Sequence, residues 1–102
     1  MEEYQKALEI WRAIGDRSWE ATTLNNLGET YRALGDTPSA IKSIRQAVEI
    51  RREIRDRSVE EANTLYNLAI LTSESGDLET ARESISEAIE ISEFIRTRVA
   101  SA

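Results

Sequence analysis

The sequence predicts an all-α fold: five helices built from a repeated antiparallel helix pair. Three observations carry this. The stretch "TLNNLGETYRALGD" at residues 23–36 returns as "TLYNLAILTSESGD" at residues 64–77. Apolar residues recur at helical spacing throughout. A single Pro and four Gly among 102 residues leave too few turn formers for a many-stranded β fold, while Ala, Leu, Ile, Glu and Arg favour helix.

The repeat has a definite register. A shift of 41 places Leu24 on Leu65, Asn26 on Asn67, Leu27 on Leu68, Gly35 on Gly76 and Asp36 on Asp77. It continues with Ala40 on Ala81, Ile44 on Ile85, Ala47 on Ala88 and Ile50 on Ile91. A shift of 40 lays Tyr4, Ala7, Ile10 and Ile14 on Ile44, Ala47, Ile50 and Ile54, and "DRS" at 16–18 on "DRS" at 56–58. One extra residue between Ser58 and Ala62 reconciles the two offsets. The chain therefore reads as a single domain: a half repeat at 1–17 that supplies only a second helix, then full repeats at 18–57 and 58–102.

Each predicted helix has its own grounds. Tyr4, Ala7, Leu8 and Trp11 form the stripe of a helix at 1–14. Leu24, Leu27, Tyr31 and Leu34 stand at i, i+3, i+7 and i+10, which predicts a helix at 18–34. Gly35 suits the left-handed residue that ends it. Thr37 followed by Pro38 reads as an N-cap with Pro in the first turn, opening a helix at 37–55 whose stripe is Ala40, Ile44, Ala47, Ile50 and Ile54. Ser58 with Glu61 reads as a capping box for a helix at 58–74, and Ser18 as the corresponding cap one repeat earlier. Gly76 ends the fourth helix, and Asp77 caps a fifth at 78–98. Gly28, Ala40 and Ala47, with counterparts Ala69, Ala81 and Ala88, allow paired helices to approach closely. Trp11 and Trp19 read as core residues of the first junction, with an interface as the alternative.

Composition narrows the function. There is no Cys and no His, so the sequence offers no thiol nucleophile, no disulfide and no imidazole for acid–base work or zinc. Glu83, Glu87 and Glu90 share a helix face, but a solvated face explains them better than a paired-carboxylate active site. The expectation is a non-catalytic protein with no cofactor and no metal. A net charge of −6 opposes nucleic-acid binding, which needs a basic face. No apolar run approaches the roughly 18 residues of a membrane span, and no signal-peptide pattern opens the chain. A soluble, cytoplasmic protein without membrane association is therefore expected. Charge is segregated: Lys42, Arg45, Arg51, Arg52, Arg55 and Arg57 face only Glu49, Glu53 and Asp56 within 42–59, a balance of +3. Residues 60–93 hold nine carboxylates against Arg82, a balance of −8. Solvated helix faces account for this, with attraction between neighbouring copies as the rival.

Leu24, Leu27-Gly28, Tyr31, Gly35, Ala40, Ile44 and Ala47 together resemble the signature of a tetratricopeptide repeat. The second repeat departs at Ala69 and Thr72, where Gly and Tyr would be expected. The family's usual period is 34 residues; this chain's 40–41, with its "NLG", "LGD" and "GDR", resembles the longer repeats of kinesin light chains and Leu-Gly-Asn-rich scaffold proteins. The resemblance implies a right-handed α-solenoid of about 2.5 repeats whose first helices line a concave face that binds a peptide or helix of a partner protein. Carried over by position, the lining is Thr22, Asn25, Asn26, Glu29 and Arg32, then Asn63, Tyr66, Asn67, Ile70 and Ser73. Asn26 and Asn67 would grip a peptide backbone, because an amide side chain both donates and accepts; the alternative is that they merely bond the backbone of neighbouring helices. Family members that clamp acidic tails carry Lys or Arg where this chain has Asn25, Glu29, Tyr66 and Ile70, so no such clamp is expected. Tyr66 and Ile70 suggest a small apolar patch instead.

Repeat solenoids also need several units and polar ends. Tyr4, Ala7, Leu8 and Trp11 at one end, and Phe94, Ile95 and Val99 at the other, lack an obvious cover. The rival expectation is thus a structural role: a piece of a longer array, or a homo-oligomer formed through the terminal helices.

Overall fold

The computed structural model describes residues 1–101, and they form five helices: α1 (Glu2–Ile14), α2 (Arg17–Ala33), α3 (Thr37–Glu53), α4 (Val59–Glu74) and α5 (Leu78–Ser101). The architecture is all-α, a solenoid-like slab of 43 × 36 × 18 Å.

All four junctions use one device. Residues 15, 35, 55 and 76 have φ of 76°, 82°, 52° and 90°, and each is followed by Asp. At every one the left-handed residue and the Asp donate their backbone N–H groups back into the last turn, as Gly35 N–H does to the Arg32 carbonyl (3.0 Å) and Asp36 N–H to that of Tyr31 (2.9 Å). This satisfies carbonyls that a helix end otherwise strands. At three junctions the Asp then caps the next helix: Asp16 accepts from Trp19 N–H, Asp36 from Ser39 N–H and Asp77 from Thr80 N–H, at 3.1–3.2 Å. The N-cap of α3 is therefore Asp36 rather than Thr37, and that of α2 is Asp16 rather than Ser18. In both cases a carboxylate one or two residues earlier is already placed by the turn.

The third junction is longer. Asp56 is drawn toward Arg51 (3.3 Å) and the Ser58 hydroxyl (2.6 Å), so Ser58 takes over as N-cap of α4. Glu61 closes a displaced capping box, accepting from Arg57 N–H at 2.7 Å. The extra residue of the second repeat thus lies in the linker, where Arg57 has φ 47°, and not after Ser58, where α4 runs unbroken. A linker absorbs an inserted residue without disturbing a hydrogen-bond ladder; a helix interior does not.

Arg55 holds the left-handed conformation that Gly holds at the other junctions. An L-residue there costs about 1–2 kcal/mol, less what glycine loses in chain entropy. Arg55→Gly is expected to stabilise the chain by about 0.5–1 kcal/mol in thermal melts. Gly35→Arg is expected to destabilise it by a similar amount through conformation alone, because a Cβ on Gly35 meets nothing within 4 Å.

α2 pairs with α3 and α4 with α5; α3 packs on α4, while the closest neighbour of α1 is α2. Leu8, Ala21, Leu24, Leu27, Ala47 and Ile50 form one buried cluster, and Ala40, Ile44, Val48, Ala62, Leu65, Leu68, Leu71, Ala88 and Ile91 form the other. Tyr31 packs against both. The segregated charges meet within the chain: Arg32 pairs with Glu74, Arg45 with Asp77 and Arg52 with Glu87. Trp11 is half-buried and donates to the Thr23 hydroxyl at 3.0 Å, but Trp19, stacked on it at 5.6 Å, is 54% exposed and lies outside the core.

Candidate protein-binding groove

α2 and α4 lie side by side in parallel, because cross-links between them keep one sequence separation. Asn67 bonds Asn25 and Arg32 bonds Glu74, both 42 residues apart. Arg32 grips Glu74 with two near-parallel bonds, Nε to Oε1 at 3.0 Å and Nη2 to Oε2 at 2.7 Å. Those bonds hold the Glu74 carboxyl below its ordinary pKa and raise that of Arg32. Both side chains are about half exposed, so the fork orients the seam more than it stabilises it.

Midway along the seam, Asn67 Nδ2 donates to Asn25 Oδ1 and to Glu29 Oε1, each at 3.1 Å. Both amide hydrogens are then used, and the Asn67 carbonyl oxygen is left to accept. On one side of this bridge lies a cavity of about 410 Å³ bounded by Glu29, Arg32, Ala33, Ile70 and Glu74. Toward the helix N-termini lies a second, of about 450 Å³, bounded by Ser18, Trp19, Thr22, Arg51, Asp56 and Glu60.

Arg51 forms the back of the second cavity. It is 3% exposed and donates from Nη1 to the Ser18 hydroxyl (3.1 Å) and from Nη2 to that of Thr22 (2.7 Å), besides its ion pair with Asp56. Its Nε is buried with no partner among the described residues. Glu60 at the rim is held below its ordinary pKa by backbone and Ser58 hydroxyl hydrogen bonds, with Arg51 adding its charge.

The residues proposed from sequence are dispersed over three settings. Asn25, Glu29, Arg32, Asn67 and Ile70 gather along the seam, and Thr22 stands at its N-terminal cavity. Tyr66 and Ser73 face instead a third, largely apolar hollow between α4 and α5, which Ile70 also borders. Asn63 is exposed. Asn26 is half-buried and its side chain bonds no described residue. It occupies the position of Asn67 one repeat earlier, but no described helix stands beside it as α2 stands beside Asn67. Arg51 is the residue that sequence reasoning passed over. Its signal was a cation on the apolar face of α3, four residues after Ala47 and seven after Ile44.

No helix among the described residues is long and apolar enough to cross a membrane. A profile of the tetratricopeptide repeat matches residues 2–53, and a second tetratricopeptide-repeat profile matches residues 62–94. No curated protein sequence matches the chain. The first profile alone spans half of the chain and ends with α3, the second spans most of α4 and α5, and the helix-pair architecture agrees with both: the chain belongs to the tetratricopeptide-repeat family.

Proposed function

We propose that the α2–α4 groove binds an extended segment of a partner protein without catalysis. Tetratricopeptide repeats are in general protein-interaction modules, and the observation that carries the reading here is the polar seam with a cavity on each side of the Asn67 bridge. The roles divide by chemistry. Asn67 offers its carbonyl oxygen to a peptide N–H, Asn25 its free Nδ2 to a peptide carbonyl, and Asn26 and Asn63 whole amides. Glu29 and the Arg32–Glu74 fork select charge at one end; Thr22 and Trp19 border the other. Two groove helices make a short surface, so affinity is micromolar or weaker for a single site.

A displayed peptide library panned against the chain and against Asn26→Ala/Asn67→Ala tests this, with circular dichroism melts to establish that the variant folds. An enriched motif whose binding falls about tenfold or more in the folded variant is expected. Equal enrichment on both proteins, or none on a folded monomer, would sink the reading. A chain that is dimeric in solution and enriches nothing would favour the assembly role instead.

A further inference from the structure

Away from the groove, a polar cavity of about 310 Å³ opens between α1 and α3, with α2 beneath it. α2 contributes Leu24, Leu27 and Tyr31 to this cavity, and none of the residues that it lends to the groove. The two sets lie roughly half a turn apart round the helix. Leu8, Leu24 and Leu27, all buried, make an apolar floor. The walls are polar, with Gln5 and Arg12 on α1 and Lys42, Ser43 and Gln46 on α3.

Little of that polarity is satisfied within the chain. The side chains of Gln5, Lys42, Ser43 and Gln46 bond no described residue, although Ser43 is only 6% exposed. Arg12 gives its Nε to Glu20 at 2.9 Å, which leaves its two Nη groups to donate. No carboxylate lines the cavity. Lys42 has no ion-pair partner among the described residues, so the wall is locally basic in a chain of net charge −6.

The second repeat shows what such a wall holds. One repeat on, Arg12 and Gln46 become Arg52 and Glu87. There the guanidinium reaches from α3 to α5 and grips the carboxylate with two bonds, Nε to Oε2 at 3.1 Å and Nη2 to Oε1 at 2.6 Å. Lys42 likewise falls on Glu83, and Ser43 on Ser84. Between α1 and α3 the chain thus supplies no acid of its own: Gln46 stands in the place of Glu87, a lysine in that of Glu83, and Arg12 turns to Glu20 instead.

We propose that this cavity binds a carboxylate on a short aliphatic stem, whether an acidic peptide side chain or a small dicarboxylate. The carboxylate sits between Arg12 and Lys42, as Glu87 sits on Arg52, and the stem rests on Leu24 and Leu27. Gln5, Gln46 and the Ser43 hydroxyl supply neutral donors to the same oxygens.

A nuclear magnetic resonance titration of the isotope-labelled chain at constant ionic strength tests this. The probes are acetyl-Ala-Ala-Glu-Ala-Ala-amide, the same peptide with Gln in place of Glu, and sodium glutarate. The Glu peptide is expected to bind at least about tenfold tighter than the Gln peptide, shifting the side-chain amide signals of Gln5 and Gln46 and the backbone amides around Ser43. Tighter binding of the Glu peptide than of glutarate assigns the site to a polypeptide side chain, and the reverse order to a free acid; either upholds it. Lys42→Ala should weaken binding several-fold and Lys42→Arg should retain it. Gln46→Glu supplies the acid from within, as Glu87 does one repeat on, and should abolish binding without lowering the melting temperature. Asn26→Ala/Asn67→Ala should leave binding unchanged, so this site is judged separately from the groove. Equal binding of the Glu and Gln peptides, shifts confined to the α2–α4 groove, or no saturable shift with any probe would overturn the proposal. So would a Lys42→Ala variant that binds as well as the unaltered chain.

Discussion

Arg51→Ala is expected to lower the stability of the chain by about 3 kcal/mol, a fall in Tm of roughly 10–20 °C for a domain of this size. Arg51 ties together three segments: the first turns of α2 through Ser18 and Thr22, the end of α3, and the α3–α4 linker through Asp56. Its guanidinium is almost fully buried, so truncation leaves a void and deprives the Asp56 carboxylate of its cation, leaving it the Ser58 hydroxyl. Breaking a buried pair from one side costs about 3–5 kcal/mol. Asp56 is 20% exposed, which puts the effect at the lower end. The pair itself is less valuable than this figure suggests, since Nε goes unsatisfied. Arg51→Leu combined with Asp56→Ser should therefore recover a good part of the loss. Urea unfolding of Arg51→Ala and of the Arg51→Leu/Asp56→Ser double decides it; an Arg51→Ala penalty below about 0.5 kcal/mol would mean the junction holds without its arginine.

Gly28→Leu is expected to cost about 3 kcal/mol, and Gly28→Ala about 1 kcal/mol even after the gain in helix propensity. A Cβ on Gly28 would stand 2.6 Å from both Cγ1 and Cδ1 of Ile44 and 3.2 Å from the Ala40 carbonyl oxygen. Ile44 has 0% exposure and is packed into the larger cluster, so a Cβ fits only if that side chain shifts toward the cavity it lines beside Arg32 and Glu74. Repeat two carries Ala at this position, Ala69, opposite the half-buried Ile85 at the open face, where a side chain can shift. A double-mutant cycle with Ile44→Ala isolates the clash: Gly28→Ala should be less harmful in that background by about 1 kcal/mol. Additive effects would place the strain elsewhere.

The helices were legible because each apolar stripe keeps its period and each break carries Asp after a turn residue. What the sequence hid was geometry between elements. Thr37 resembles an N-cap by composition, yet Gly35 in its left-handed conformation already delivers Asp36 to that place. At the third junction the same backbone turn is made by Arg55, so the glycine signal is absent although the structure is not. Asn67 could be read as a groove residue, but not that both its hydrogens go to α2, to acceptors 42 and 38 residues earlier, because a repeat register does not say which side chains of neighbouring helices meet. Arg51 was invisible for a different reason: a cation in an apolar stripe becomes intelligible only when the three elements that neutralise and bond it converge.

The way α1 is attached has a consequence for how the chain comes apart. Among the described residues its backbone runs close to that of α2 only, and its contribution to the smaller cluster is Leu8, helped by Tyr4. Neither residue belongs to the cluster centred on Ile44 and Leu65, which joins the two hairpins. Detaching α1 therefore leaves that larger cluster whole, while opening α3 from α4 destroys it. In a solenoid, cohesion is a sum over neighbouring interfaces, and here the terms are unequal. The first thirteen helical residues can leave and return below the free energy of global unfolding. Each departure bares Leu24, Leu27 and the ring of Trp19, so the inner side of α2 is presented intermittently rather than permanently.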